Sequence, residues 1–138
     1  MKYSRQLLMK VYGLNDNVEK QEISLKDLKG IRNMKVVKLA DVVEFNPEKL
    51  KKVSLFDTGN FFCDLYCLEP GQSQKVHSHG DSDKVYYVLK GRGMVTVGSE
   101  EKELGPDEIT IAPAGEDHGV VNYTQDKLVM LVFMAPKP

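Results

Sequence analysis

The chemistry suggested by this sequence rests on its three histidines, His77, His79 and His118. One residue separates His77 from His79, so on a β-strand both rings would project from the same face. His118 follows the turn sequence Pro-Ala-Gly-Glu-Asp, and from an opposite strand its ring could complete a three-nitrogen metal site with open positions for water or substrate. Any one of these histidines alone could be a surface or hydrogen-bonded residue; the three together favour a metal site.

Two stretches around these histidines resemble the two motifs of the cupin family. Residues 71–91, GQSQKVHSHGDSDKVYYVLKG, resemble the first motif: Gly, five residues, His-x-His, three or four residues, Glu, six residues and Gly. Residues 113–122, PAGEDHGVVN, resemble the second, Pro-x-Gly-x-x-His-x-x-x-Asn. Each histidine falls on a ligand position of that family. The resemblance therefore implies that His77, His79 and His118 bind one metal ion inside a double-stranded β-helix, or jelly-roll, barrel.

The sequence departs from the first motif at the family's glutamate ligand. With Gly91 aligned, that glutamate falls at Lys84, and Asp83 stands one residue earlier. Neighbouring strand residues point to opposite faces, so Asp83, our candidate fourth metal ligand, could reach the ion only through a bulge or from the strand entrance.

Lys84 points inward by strand parity, and an ammonium about 4 Å from a dication would be repelled by roughly 8 kcal/mol at an effective dielectric of 20. Lys84 could extend to the barrel mouth, lose its proton on burial, or bind an anion at a site without metal. We expect the first outcome, because a lysine stem is long enough to carry its charge to water. Tyr86 shares the parity of Lys84, and these two residues are the catalytic candidates, Tyr86 as a hydrogen-bond donor to substrate. Core packing is the alternative role for Tyr86 and for the further pocket candidates Tyr66, Tyr87 and Cys67. Asn122 is expected to order a turn.

Strand-like runs position these residues. Short runs rich in β-branched and aromatic residues begin near residue 34 and recur every eight to twelve residues between turn sequences. The runs are residues 35–39, 53–56, 61–68, 84–89, 94–97, 109–112, 118–122 and 128–133. About eight short strands without a long helical period predict an all-β antiparallel sandwich or barrel over residues 34–138. Residues 46–50 predict a short helix with proline in its first turn. Residues 1–33 are polar and weakly patterned, and they predict a short irregular N-terminal extension with one helical turn near Ser24.

Composition narrows the class of protein. A chain of 138 residues that is 41% hydrophobic and 28% charged suits one globular domain. Its net charge of −1 gives no field to attract nucleic acid or an anionic membrane, so neither partner is expected. Cys63 and Cys67 would lie roughly 13 Å apart along a strand, too far for a disulfide. No apolar run suits a membrane span or a signal peptide, so we expect a cytoplasmic protein with reduced thiols.

Two functional hypotheses follow. The first is a metal-dependent enzyme, similar to three-histidine cupins of the dioxygenase or isomerase kind, acting on a small oxygen-rich or carboxylate-bearing molecule. Its cofactor would be one divalent transition metal ion: iron, manganese, zinc, nickel or copper all accept imidazole. The alternative is a non-catalytic module that binds or senses a small anion, with Lys84 supplying part of the binding energy. We also expect a homodimer, and one way to form it is exchange of residues 1–33 between subunits.

Overall fold

The computed structural model describes residues 34–138. The predicted N-terminal extension and its helical turn lie outside the described residues, and the predicted boundary at residue 33 stays a prediction. The chain divides into two units, Met1–Lys35 and Val36–Pro138, and the second is described below. None of its helices has the length and apolar character needed to cross a membrane.

The described part of the chain is almost entirely β-structure, as predicted. One short helix, α1 (Leu39–Val42), precedes nine strands: β1 (Lys51–Asp57), β2 (Phe62–Leu68), β3 (Ser73–His77), β4 (Asp83–Lys90), β5 (Gly93–Val97), β6 (Glu100–Leu104), β7 (Ile109–Ala112), β8 (His118–Val121) and β9 (Leu128–Ala135). The strands form a five-stranded sheet in the order β1-β2-β9-β4-β7 and a four-stranded sheet in the order β3-β8-β5-β6. All pairings are antiparallel, which confirms the predicted jelly-roll barrel.

An interior cluster fills the space between the two sheets. Strand β4 shows why: its buried positions alternate, so Lys84, Tyr86 and Val88 point inward. Strand β9, in the middle of the larger sheet, is apolar on both faces and contributes Leu128, Met130 and Val132 to this cluster. The same inward alternation that builds the core therefore places Lys84 and Tyr86 inside the barrel.

A second, outer cluster covers the other face of the five-stranded sheet. Its buried members are Leu55, Leu65, Cys67 and Val129. Apolar side chains from residues 37–45, including Leu39 and Val42 of α1, pack against it. The predicted strand at 35–39 is therefore wrong: Val37 and Leu39 cover a sheet face instead of joining the sheet.

Other differences from the prediction have local causes. Residues 46–50 contain no helix, because the Glu48 amide donates a hydrogen bond to Asn46 Oδ1 at 2.8 Å and closes a side-chain turn instead. Strand β6 escaped prediction because four of its five residues are charged, a composition suited to an exposed sheet edge. Cys63 and Cys67 are free thiols, as expected.

Candidate metal centre

The three histidine side chains meet at one end of the barrel. His77 ends β3 and stands opposite His118, which begins β8; His79 follows two residues after β3. Their candidate ligand nitrogens all lie within 4.8 Å of one another. The ring centroids are 4.6 Å apart for His77 and His118, 5.0 Å for His77 and His79, and 5.5 Å for His79 and His118. The structure thus brings together the three residues that the sequence spacing selected.

Backbone hydrogen bonds determine which ring nitrogen is free in two of these histidines. His77 Nδ1 lies 2.7 Å from the Lys75 carbonyl oxygen, and His118 Nδ1 lies 3.0 Å from the Glu116 carbonyl oxygen. A carbonyl only accepts, so Nδ1 carries the proton in both rings and Nε2 keeps its lone pair. His118 Nε2 is buried and has no hydrogen-bond partner among the described residues. A buried acceptor in this state is costly, and a divalent transition metal ion would satisfy it, so the donor set fits such an ion.

The electrostatics of the site favour neutral imidazoles. Burial lowers the pKa of His118 to about 4, with smaller contributions from the nearby charges of Lys84 and the other two histidines. Burial also lowers the pKa of His79, as do the charges of His77 and the two lysines, Lys84 and Lys52. Only unprotonated imidazole binds metal, so at neutral pH His79 and His118 are in the form that can do so.

Three hydrogen bonds fix the loop that carries His118. The Gly115 amide donates to the His79 carbonyl at 2.8 Å, and the Gly98 amide donates to the Asp117 carbonyl at 2.8 Å. The Ala114 amide donates to Asp83 Oδ1 at 2.8 Å. The first and third bonds join the β7–β8 loop to the segment that runs from His79 to Asp83 at the start of β4. They therefore fix the position of His79 relative to His118.

Asp83 is thus placed differently from the three histidines. Its side chain is exposed at the start of β4, and the group of metal-ligating side chains found among residues 34–138 does not include it. Its parity directs it away from the interior that Lys84 faces. Its carboxylate accepts a hydrogen bond from the Ala114 amide. The sequence had suggested Asp83 as a metal ligand, whereas this contact joins two parts of the backbone.

The barrel that carries this site matches a known protein family. The family model described as "Cupin domain" matches residues 64–134. The chain belongs to the cupin family. The crystal structure of TT1209 from Thermus thermophilus is 46% identical, covers 76% of this chain and 100% of that one, and superimposes with a TM-score of 0.75.

Two curated relatives match shorter stretches of this cupin. The uncharacterized protein SCO3923 of Streptomyces coelicolor is 35% identical over 80 residues, 56% of this chain and 73% of that protein. The tetracenomycin polyketide synthase protein TcmJ of Streptomyces glaucescens is 38% identical over 55 residues, 40% of this chain. The chain matches only 37% of the length of TcmJ.

Lys84, which stands where the cupin motif has glutamate, lies inside the barrel. It is 1% exposed, and its Nζ atom lies 5.3 Å from the ring centroids of both Tyr66 and Tyr86. The expectation that its charge extends to water is wrong: the side chain ends against the two tyrosine rings. Burial, with a contribution from Lys52, lowers the pKa of Lys84 to about 7, and Asp64 opposes that shift. Partial loss of the proton, one of the alternatives raised by the sequence, is the outcome that this cupin favours.

A hydrogen-bonded chain links the two tyrosines of this cupin. Tyr86 donates its hydroxyl proton to Gln74 Oε1 at 2.9 Å, and Gln74 Nε2 donates to the Tyr66 hydroxyl at 3.1 Å. Burial raises the pKa of both tyrosines, so both stay protonated. The Tyr86 proton, predicted to meet substrate, is therefore engaged by Gln74, whereas Tyr66 only accepts in this chain and keeps its own proton available.

Sequence reasoning did not identify Gln74 or Lys52 as parts of the site. Gln74 is buried on β3, three residues before His77, and the polar residues around it gave no sign that it faces inward. Lys52 Nζ lies 5.0 Å from the Tyr66 ring centroid, a contact that depends on the pairing of β1 with β2.

Proposed function

We propose that this cupin binds one divalent transition metal ion through a ring nitrogen of each of His77, His79 and His118, and that it is a metal-dependent enzyme. The observation that carries the proposal is the orphaned Nε2 of His118, buried and facing two further imidazoles. Iron, manganese, zinc, nickel and copper are all compatible with three imidazole ligands.

The substrate class follows from charge. When bound, the ion would act as a Lewis acid toward a substrate oxygen or as an activator of oxygen. Three neutral imidazoles leave its double charge uncompensated, so an anionic oxygen ligand is favoured. We therefore propose a small oxygen-rich or carboxylate-bearing substrate. The name of the relative TcmJ, a polyketide synthase protein, is in keeping with an oxygen-rich molecule.

The protein's own groups would orient such a molecule. Tyr66 can donate its hydroxyl proton to a substrate oxygen, because Gln74 already donates to that hydroxyl. Tyr86 is a positioning residue in this scheme, since its proton holds Gln74 in place. The apolar interior cluster below them, which includes Val88 and Val132, excludes water from the inner side of the site.

We also propose that the protein works in the cytoplasm. The support is its pair of free thiols, Cys63 and Cys67, which suit a reducing compartment.

Metal content and thermal unfolding test the metal assignment. The protein, purified without added metal, should carry close to one equivalent of a single transition metal by elemental analysis. Chelation should lower its melting temperature and metal should restore it, since a ligand at 100 times its Kd adds about 2.7 kcal/mol of stability. Replacement of His118 or His77 by Asn should abolish this response, whereas Lys75→Ala, an exposed change on β3, should preserve it. Metal-free protein whose melting temperature responds to none of the five metals would refute the proposal.

A second candidate function is a non-catalytic module that binds or senses a small anion. The observation that favours it is the buried Lys84 in place of the glutamate of the motif. Mass spectrometry of a ligand recovered after incubation with the metal-loaded protein separates the two functions. An enzyme returns a chemically altered ligand, and a binding module returns it unchanged.

A further inference from the structure

Two lysines from different strands lie near one tyrosine ring, that of Tyr66. Lys52 Nζ lies 5.0 Å from the Tyr66 ring centroid and Lys84 Nζ lies 5.3 Å from it. Lys52 is paired with Tyr66 across β1 and β2, while Lys84 reaches the ring from β4. The three residues come from three strands of the five-stranded sheet, so they come together only when the sheet has formed.

Tyr86 connects this lysine pair to the candidate metal centre. Its ring centroid lies 5.3 Å from Lys84 Nζ and 6.3 Å from the ring centroid of His118. The charges of Lys84 and Lys52 also act on His79. The lysine pair is therefore a neighbour of the candidate metal centre.

The charged groups around Tyr66 are the amines of Lys52 and Lys84 and the carboxylate of Asp64. Among residues 34–138, neither Lys52 nor Lys84 has a carboxylate oxygen within 4.0 Å. Asp64 is the carboxylate whose charge acts on Lys84, and the charges of both lysines act on it in turn. The buried amine of Lys84 lies near two tyrosine rings, and a cation in that position gains part of its stabilisation from the rings.

We propose that Lys84 and Lys52, which both lie near the Tyr66 ring, form an anion subsite, and that the ligand of this cupin is a small organic dianion of the dicarboxylate class. One carboxylate binds the metal held by the three histidines, and the second binds the lysine pair. This inference rests on the proposed metal centre for the first carboxylate. The second carboxylate distinguishes it from that proposal, because this group is assigned to the lysines and not to the metal ion.

Binding of simple dicarboxylates tests the subsite. Isothermal titration calorimetry would measure malonate, succinate and glutarate against the full-length, metal-loaded protein, with acetate as the single carboxylate and malonamide as the neutral analogue of malonate. At least one dicarboxylate should bind about tenfold or more tightly than acetate, and malonamide should not bind. Lys84→Met and Lys84→Gln should each weaken binding of that dicarboxylate by about tenfold or more, as expected when one partner of a buried charge pair is removed. Lys52→Met should weaken it by a smaller factor, because Lys52 is exposed.

Matched measurements separate this inference from the metal assignment. Lys90→Met, a change at an exposed lysine of the same strand, should leave dicarboxylate affinity unchanged. All four lysine variants should keep the metal content of the parent protein. Dicarboxylate affinity that survives loss of Lys84 and of Lys52 would overturn the subsite while leaving the metal centre intact, as would a dicarboxylate affinity no greater than that of acetate. A protein that binds no metal but holds dicarboxylate through both lysines would instead overturn the metal centre and support the subsite.

Discussion

Backbone carbonyls set the ligand atoms of this site before any ion arrives. His77 and His118 each donate Nδ1–H to the carbonyl of the residue two positions earlier, Lys75 and Glu116. Because these acceptors belong to the main chain, the backbone conformation at the end of β3 orients the His77 ring, and that at the start of β8 orients the His118 ring. Such contacts fix the tautomer of a metal-binding histidine and so contribute to its affinity.

The buried amine of Lys84 should make stability depend on pH in the metal-free protein. Its pKa is about 7 in the folded chain against an ordinary value of 10.5. Between these values the unfolded chain holds a proton that the folded chain does not, so the free energy of unfolding should rise with pH. Below pH 7 both states are protonated, and the full cost of burying the charge remains.

Urea denaturation of the chelator-treated protein between pH 7 and pH 9 would measure this slope. Lys84→Met should remove the contribution of Lys84 and give a flatter profile than the parent protein, whereas Lys90→Met should keep the parent slope. Identical slopes for the parent protein and Lys84→Met would show that the amine keeps its ordinary pKa.

Part of this residue-level picture was available from the sequence. The sequence identified the candidate ligands His77, His79 and His118, because they are the three histidines of the chain and two of them are separated by a single residue. The direction of Lys84 could not be predicted, since a lysine stem can turn toward water or lie against aromatic rings, and the choice depends on where Tyr66 and Tyr86 lie in space.

At the scale of elements, close contact between β3 and β8 brings His77 next to His118. Gly119 permits that contact: a Cβ built there would lie 2.9 Å from the Gln74 carbonyl oxygen and 3.0 Å from Val76 Cγ2. Backbone cannot give way as a flexible side chain can, so an added methyl group would push the two strands apart.

Gly119→Ala should therefore weaken both stability and metal binding. We expect a loss of about 1–3 kcal/mol in the free energy of unfolding, as for overpacked interiors, and a tenfold or greater rise in the metal Kd from displacement of His118. Gly80→Ala is the control, because a Cβ at Gly80 meets nothing within 4 Å. Equal metal affinities in the two variants, measured by competition with a chromophoric chelator, would contradict this account of the strand contact.

Substitutions at Asp83 test the hydrogen bond that it accepts from the Ala114 amide. Asp83→Asn keeps an oxygen that can accept from the Ala114 amide, so the metal Kd should change little. Asp83→Ala removes the acceptor and should cost about 1 kcal/mol of stability. If Asp83 were a metal ligand, Asp83→Asn would instead raise the metal Kd sharply. The same chelator competition, with denaturation curves for both variants, decides between the two roles.

The position of a strand could be predicted where a run of strand-forming residues is bounded by turn residues at both ends. The run at 109–112 coincides with β7 because it is bounded by turns on both sides. The expectation that Asn122 orders a turn is confirmed: its side chain donates to the Leu68 and Asp126 carbonyls and accepts from the Thr124 amide. Residues 37–45 were not predictable in the same way, because an apolar run that covers a sheet has the same composition as a strand within it.

At the scale of the whole molecule, the barrel is held by two apolar clusters on opposite faces of one sheet. The interior cluster shares its space with the polar site, while the outer cluster lies behind the sheet beneath residues 37–45. The barrel could be predicted because its short strands and turns are regularly spaced along the sequence. The outer cluster could not, because it depends on packing between residues far apart in the sequence, which this spacing does not reveal.

The homodimer expected from the sequence should appear in sedimentation equilibrium as a species of twice the chain mass. If residues 1–33 are exchanged between subunits, their deletion should give a monomer with a lower melting temperature. A truncated chain whose mass and melting temperature match those of the parent protein would exclude a role for these residues in assembly.

Anomalous diffraction from a metal-loaded crystal tests most directly whether one metal ion is bound by all three imidazoles. We expect one anomalous peak, about 2.0–2.2 Å from a ring nitrogen of each of His77, His79 and His118, with the ligand atom Nε2 in His77 and His118. A peak bound through Nδ1 of either ring, or a peak elsewhere in the molecule with these three rings uncoordinated, would contradict this expectation.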